Sequence, residues 1–599
     1  MHLSRSTSLI DLPFFVQQLP PPRATQCWLF GIPGKQTSKK LKPMSKKQEK
    51  RFNDIVGNAC DIGLLVLDEG SFNDITILAH ISARMMERRN SPLPFAGVPV
   101  LLLLDFHQKQ CVGGTQLHKA LIVADLPDDL LQELKVNGKG KSKITIGHFG
   151  ADRIGVDLMR RFQRFDLVQQ MRASDDPIHT AHISEIRDIF SKQPISESIL
   201  DSLQPLTLES LALDPKLQFA RIVAMSWREV YPLTVLQITR WARTHNLPVI
   251  RWRKILTGTN AEYISEDETK NLFMHESSGL YEYFVAGMPG TFTQNIDTQN
   301  GIVNGGKNTY FSITMDEGSL SVDELINAAA EEELNWSDGV LTVTLKVRPL
   351  SINVKMVVPR DQAERMTLKN YLLPDPPGND SSNLGDGLRT VHLALALMNS
   401  GFSSDTYNTT SVWASTENIP TDINVQMFPT TPDFVVTDFK VQGTTEQCLI
   451  SILRPRKHPP NFTVQSFNVQ FSRVTMGKNF YALGLDKEDM DHLRCLRHNP
   501  ALIIWEQSYD KNGHWNQALA LAAAQKLAHV QQQPKFKKKI KQTGYKKSGS
   551  NKLYLFIYFF SILIHQLRVK SARTSPDDEI SSSIMVIMMI MMTLIMMAT

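Results

Sequence analysis

Two short apolar runs in this chain each end in side chains able to handle a phosphate. Leu64-Leu65-Val66-Leu67 is followed by Asp68-Glu69, and Leu101-Leu102-Leu103-Leu104 by Asp105-Phe106-His107-Gln108. Runs of this length suit buried parallel strands. In open α/β sheets ligands sit at the carboxyl edge of the strands, so both polar tails would reach one place. There Asp68 could hold Mg2+ through water and Glu69 could polarise an attacking water. Gln108 could hydrogen-bond a γ-phosphate or that same water. Either strand end by itself also reads as an ordinary surface turn; two on adjacent strands make coincidence a poorer account.

Periodicity gives the elements that must carry these groups. Residues 75–87, between the two runs, have helical spacing. The resulting β-α-β pattern predicts an α/β layered domain with helices on both faces of the strands. A second α/β region starts near Leu211, with a strand over 219–225, a helix over 231–244 and a strand over 248–252. From 315 to 430 alternating strands (341–347, 351–358) and a Pro/Gly/Asn/Asp-rich loop (374–387) predict a smaller, mainly β module. The α/β pattern resumes at Phe434, and an alanine-rich helix over 517–530 precedes a lysine-rich tail at 535–547.

Composition narrows the class. A chain of 599 residues is too long for one core, and 42% hydrophobic with 21% charged residues is ordinary for a soluble globular protein. A net charge of +5 permits a nucleic-acid partner without requiring one. Cys27, Cys60, Cys111, Cys448 and Cys495 are scattered with no Cys-x-x-Cys pair. That argues against a zinc module or a disulfide framework and for a reducing compartment. The apolar runs at 553–564 and 584–597 are shorter than the ~18–20 residues a span needs, so no stable membrane insertion is expected.

Taken in order, several segments resemble motifs of Pif-type DNA helicases, the motor class also found in Helitron transposases (helicase superfamily one, RecD-like branch). Leu64 to Glu69 resembles the second motif, and Asp105-Phe106-His107-Gln108 with Val112-Gly113-Gly114 the third. Gln170-Met171-Arg172-Ala173-Ser174 resembles the fourth, and Gly301-Ile302-Val303-Asn304-Gly305 a Leu-Val-Asn-Gly segment of the second motor domain. Lys440-Val441-Gln442-Gly443-Thr444-Thr445 resembles the fifth and Phe471-Ser472-Arg473-Val474 the sixth. The likeness covers roughly 28–510, and Phe30 to Lys35 fits the segment between the Walker A loop and the second motif.

The resemblance implies an α/β fold of two RecA-like P-loop NTPase lobes with a small mainly-β insertion in the second. The first lobe would occupy 28–205, and the second 206–314 and 431–510 around an insert at 315–430. A leader at 1–27, a helix at 511–533 and a basic-then-apolar tail at 534–599 would flank them. It further implies ATP and Mg2+ as cofactors, with Asp68, Gly443 and Thr444 at the nucleotide. Arg172 would sense the γ-phosphate and Arg473 would act as an arginine finger. Asn304, Lys440, Gln442 and Thr445 would face nucleic acid. The implied activity is five-prime to three-prime unwinding, with single-stranded DNA and DNA junctions as partners. DNA repair, recombination or telomere maintenance in the nucleus (or the cytoplasm), or a mobile-element origin, goes with it.

Departures from the family pattern are specific. The phosphate-cradling sequence Gly-x-x-x-x-Gly-Lys-Ser/Thr is missing. Gly34-Lys35 precedes Gln36, and Gly306-Lys307 precedes Asn308. Gly140-Lys141-Ser142 has Lys135 where the leading glycine belongs and follows the Asp-Glu strand instead of preceding it. The family places this loop upstream of Trp28, so the expectation is an N-terminally truncated first lobe and an impaired enzyme. Several charge-assisted hydrogen bonds, each worth about 1.5–3 kcal/mol, would be missing. Leu104 stands for a glycine, and Lys109-Gln110-Cys111 for a Leu-Pro-Pro stretch, which puts the turn at Gln108 in question. The alternative is a non-catalytic nucleic-acid-binding helicase remnant. Either arginine taken singly also reads as a surface salt bridge, and the lysine tail as a solvated one. The decisive geometric expectation is that Glu69, Gln108, Arg172 and Arg473 meet in one cleft between two lobes.

Overall fold

The computed structural model describes residues 29–32, 41, 43–56, 63–111, 114–137, 143–257, 279–297, 300–315, 322–328, 334–337, 339–366, 372–373, 388–396, 398–399, 424–456 and 461–532. The leader 1–27, the loop 374–387, the tail from 533, Val112-Gly113, Gly34-Lys35 and Gly140-Lys141-Ser142 lie outside the described residues.

The first α/β body opens with β1 (Leu65–Leu67), α1 (Ile75–Arg89) and β2 (Val100–Leu102). Asp74 caps α1 by accepting from the Thr76 N–H, and Asn90 ends it in the left-handed conformation. β1 and β2 pair in parallel, Val66 opposite Leu101. The expected burial of these strands on both faces is not found. Leu67 is buried, but Leu64, Val66 and Leu101 are about half exposed (52%, 49% and 46%). The reason is geometric: residues two apart and cross-strand partners share one face, and α1 covers only the other.

Packed on α1 is α2 (Ala151–Met159), whose Gly155 lies against the start of α1. Next comes α3 (Pro177–Arg187), capped by the Asp176 side chain and started by a proline at its first position. The second body is built on β3 (Arg221–Ala224), followed by α4 (Trp227–His245). It continues with β4 (Val435–Thr437), α5 (Asp438–Val441), β5 (Leu449–Ser451), α6 (Val464–Phe471) and β6 (Phe480–Ala482). Its sheet runs β4-β3-β5-β6 with a short strand at Gln204–Pro205 on the far edge, every pair parallel. β3 is buried at all four residues, and its one charged member, Arg221, is paired with Asp433 and Glu446.

Between β3 and β4 the chain makes mainly antiparallel sheet, with 340–345 lying parallel to 249–253. Strands at 289–292, 307–314, 351–359, 388–396 and 430–432, with 372–373, form a six-stranded sheet. A four-stranded sheet joins 249–253 and 281–284 to 334–337 and 340–345. Antiparallel pairing therefore starts before residue 315, because strands on both sides of that point share a sheet.

Chain order and packing diverge twice. Ala173, Ile183, Ile186, Ile199 and Leu200 pack with Val223, Val436 and Leu449 of the second body. The closing helices α7 (Pro500–Glu506) and α8 (Gln517–Gln532) return to the first body. There Trp505, Ala520 and Ala524 join Phe106, Leu121 and Leu131. One close approach is testable. A Cβ added at Gly155 would sit 2.2 Å from the Ile75 carbonyl oxygen, a backbone atom that cannot swing aside. Gly155→Ala should lower stability by about 1–3 kcal/mol, the cost of an overpacked core. Urea midpoints of the two proteins measure this, and an unshifted midpoint would show that the two helices are not held this closely.

Candidate functional site

Asp68 and Glu69 follow β1 directly, and the turn that carries them is stapled to β2. The Leu103 N–H donates to Leu67 O (2.9 Å) and the Gly70 N–H to Leu103 O (2.9 Å). Gly70 keeps this turn tight, since a Cβ there would push on the Leu102 side chain at 2.6 Å and come within 3.1 Å of the Leu103 carbonyl. Glu69 itself takes a left-handed conformation, φ 51°, uncommon for a non-glycine residue and frequent at functional sites.

After β2, Asp105 organises the next turn. Its carboxylate accepts from the His107 N–H (3.0 Å) and the Gln108 amide (2.6 Å), and takes both terminal nitrogens of Arg187 at 3.0 Å. The turn forms with Leu104 before it and Lys109 after it, held by Asp105. Phe106 anchors it in the first core, 4.4 Å from the His118 ring and 5.0 Å from Trp505. The same turn grips the second body. Gln465 donates to Phe106 O (2.8 Å) and Asn468 to His107 O (2.9 Å). Lys109 reaches Asp438 (2.6 Å) and Ser466 (2.7 Å), while its N–H donates to Gln442 (3.0 Å).

This contact brings the second body's groups to the strand ends. The Gln442 amide donates to Glu69 (3.3 Å), and Gly443, at φ 80°, has its Cβ position 3.7 Å from the Glu69 carboxylate. Arg172 donates to the Thr445 hydroxyl (3.0 Å) and to Ser472 O (3.1 Å). Arg473 donates to the Ser472 hydroxyl (2.8 Å) and lies within electrostatic range of Arg172, Asp105, Glu69 and Arg187. The Thr444 hydroxyl is 2.8 Å from Val441 O and 2.7 Å from Glu446, which in turn holds Arg221 (2.6 Å).

Glu69, Gln108, Arg172 and Arg473 therefore converge on one cleft, with Asp68, Gln442, Gly443, Thr444 and Thr445 around it. Lys440 lies on the same helical turn as this group but reaches toward Trp227 instead. Asn304 does not join: it is exposed in the turn between strands 289–292 and 307–314, where its N–H donates to Asn295. Sequence reasoning gave no role to Asp105, Lys109 or Arg187. Asp105 opens the Asp-Phe-His-Gln segment, so its place at the strand end is a local signal. Arg187 carries no local signal, being 82 residues from its partner.

The electrostatics are those of a site prepared for anion and cation together. Burial raises the Glu69 pKa against the Gln442 hydrogen bond, and Asp68 and Asp105 add to the rise. Burial would raise Asp105 too, but the Arg187 guanidinium and the Gln108 amide outweigh it and hold that carboxyl low. Burial, then Arg172, pushes Arg473 down to about 10, so it stays charged at neutral pH. Two polar atoms in the cleft, Arg473 Nε and Gln108 Oε1, are buried without a partner among the described residues. Arg473 is only 2% exposed. Such orphaned atoms are what a phosphate and its water would satisfy. Among the described residues no cluster of three or more acidic, histidine or cysteine side chains could cage a metal. Mg2+ asks for less, one or two carboxylates with the rest water and phosphate, and Asp68 and Glu69 fit that.

No family's sequence profile matches the chain, and no curated protein does. Among solved structures it is similar to Pif1 helicase from Candida albicans, at 16% identity over 77% of this chain and 79% of that one, TM-score 0.41. It is also similar to Bacteroides Pif1 bound to ssDNA (15%, 82% and 84%, TM-score 0.46). Bacteroides Pif1 in complex with ADP-AlF3 and ssDNA gives 15%, 82% and 84%, TM-score 0.42. Likenesses at this level assign no role to any residue here. Among the described residues no helix is long and apolar enough to cross a membrane.

The Asp105–Arg187 pair makes a signed prediction. Its depressed folded pKa means that the pair's contribution is complete above the unfolded value, about 3.9, and is lost as pH falls through the folded one. Arg187→Ala should cost about 2 kcal/mol at pH 7, as for a lost charged hydrogen-bond pair. The gap from the unmodified protein should start to narrow as pH falls below about 4 and close only below the folded pKa. Urea midpoints at pH 7, 5 and 3.5 read it, and a gap that is absent or independent of pH contradicts the assignment.

Proposed function

We propose that the cleft takes the terminal phosphates of ATP with Mg2+, and that the chain is a Pif-type, five-prime to three-prime DNA helicase weakened in its hold on nucleotide. The observation that supports this best is Arg473, buried and charged, with Nε unpartnered, beside Arg172 and facing Glu69 from the other body. Removing a guanidinium from water costs several kcal/mol unless an anion meets it. Two guanidiniums side by side call for a multiply charged anion, and a phosphoryl group with its charge spread over three oxygens suits them.

When bound, Mg2+ and ATP would supply the phosphoryl group and part of the charge that stabilises its transfer. Asp68 would hold the ion through water. Glu69, with its raised pKa, is suited to accept a proton from an attacking water, which Gln108 would orient. Glu69 and Gln108 belong to one body and Arg473 to the other, so hydrolysis requires closure. Repeated closure would step the bodies along single-stranded DNA, with Lys440, Gln442, Thr445 and Asn304 on the nucleic-acid side. DNA junctions as substrates, a nuclear setting in repair, recombination or telomere maintenance, and kinship with mobile-element helicases go with this reading. The chain has no Gly-x-x-x-x-Gly-Lys-Ser/Thr sequence, so the arginines alone would have to replace that cradle. A second reading, a nucleic-acid-binding helicase remnant without turnover, is favoured by the way Glu69 and Arg172 are already engaged within the chain, by Gln442 and by Thr445.

Mg·ATP should raise the melting temperature of the full chain and not that of Arg473→Ala. Hydrolysis with saturating oligo-dT should run below about 0.1 s−1, against about 10 s−1 for a typical enzyme. Turnover at ordinary rates refutes the weakened hold. A melting temperature indifferent to Mg·ATP refutes the nucleotide site and leaves the second reading.

A further inference from the structure

The carboxyl edge of the second body's parallel sheet carries a row in which cations alternate with aromatic rings. Lys109 Nζ stands 5.3 Å from the Phe439 ring, and Lys440 Nζ 6.0 Å from the Trp227 ring. Trp227 and Tyr231 stack at 5.4 Å with 28° between their planes, and Lys254 Nζ is 5.8 Å from the Tyr231 ring. Trp227 follows β3 directly, and Phe439 and Lys440 follow β4, so adjacent parallel strands deliver the row to one edge. Phe439, Trp227 and Tyr231 are all partly exposed. Gly279, at φ 74°, keeps the chain tight on Tyr231, where a Cβ would come within 2.7 Å of the ring.

The charges in the row are not equivalent. Lys109 is bound to Asp438, and Lys254 donates to Gly279 O (2.8 Å). Among the described residues Lys440 has no carboxylate at ion-pair distance; its neighbours are the Trp227 face and, farther off, Asp433 and Arg221. A desolvated ammonium beside a stacked ring pair suits a ligand that offers an anionic group to the lysine and a flat face to the rings. Single-stranded nucleic acid brings both at the spacing of one nucleotide, and every base has a π face to offer.

We propose that Trp227 and Tyr231 form a base-stacking platform for single-stranded DNA, with Lys440 taking the adjacent phosphate. The platform rests on the nucleic-acid part of the function proposed above and not on its nucleotide part. It predicts sequence-tolerant binding, because stacking discriminates bases weakly while a duplex keeps its bases out of reach.

Anisotropy of fluorescein-labelled dT16 on the full chain, without nucleotide and over a range of salt, tests it. Trp227→Ala should weaken dT16 binding about tenfold, the loss expected of one base–aromatic stack. Its slope of log affinity on log salt should stay unchanged. Lys440→Gln should instead reduce that slope by about 0.7. Trp227→Phe should bind like the unmodified protein and Trp227→Leu like the alanine variant, a comparison that survives if alanine unfolds the chain. Equal binding by the Phe and Leu variants, or equal losses on a 16-base-pair duplex, overturns the platform and leaves the helicase reading standing. Failure of the unmodified chain to bind dT16 at all overturns both.

Discussion

The candidate site exists because Lys109 of one α/β body is buried against Asp438 of the other. Asp438 is 1% exposed on its side chain, and burial pushes its pKa up while the Lys109 ammonium, 2.6 Å away, pulls it back. Removing one partner of such a pair leaves a stranded charge, a cost of about 3–5 kcal/mol. Phe106, His107 and Lys109 are therefore tied to the second body through two carbonyls, one N–H and one ammonium. Phe106 is meanwhile locked in the first core. A turn held from both sides fixes the distance between β1's carboxylates and the arginines of the second body. Loosen it, and Glu69 and Arg473 become unrelated surface charges.

That constraint also explains how like charges tolerate each other here. Arg172, Arg187 and Arg473 meet Asp68, Glu69 and Asp105 within a small volume, and the pairing is uneven. Arg187 is spent on Asp105 in a bidentate pair, which fixes the turn but leaves the pair inert. Arg172 is held by a hydroxyl and a carbonyl, both neutral. Arg473 has a hydroxyl and an orphaned Nε. The two guanidiniums without carboxylates thus lie together, and the least compensated acid, Glu69, lies opposite. A cleft with its charges separated in this way is ready for a ligand that carries both signs, an anion with its counter-cation.

What the sequence disclosed follows the range of the physics involved. Asp68, Glu69 and Gln108 were legible because a strand edge is a local property, set by a run of leucines and the polar residues that end it. α1 and α4 were legible from helical spacing. Arg172 and Arg473 came from motif order, which stands in for contacts that spacing cannot give. Arg187 and the helix α7 were not legible, since nothing near residue 187 or 505 in the chain refers to Asp105 or Phe106. The exposed face of β1 and β2 was hidden for a related reason: an apolar run reports that a strand prefers cover, not that cover is present. Residue 315 looked like a boundary because strand periodicity becomes clear there, yet hydrogen bonding links 307–314 to 351–359 across it.

The choice of arginine at 473 follows from the burial that the Lys109 contact imposes. Burial and Arg172 bring its pKa to about 10, still well above neutral. A lysine there would start about two units lower and suffer at least as much, since an ammonium is more strongly hydrated than a guanidinium. It would spend part of its time uncharged at pH 7, and a neutral amine cannot draw in a phosphate. Arginine also presents its donors in a plane, so it can reach Ser472 and the Thr444 carbonyl with its terminal nitrogens and still leave Nε for a ligand. A site closed by docking two bodies must keep a charge where water has been removed, and at Arg473 the guanidinium does so with a wider margin than an ammonium would.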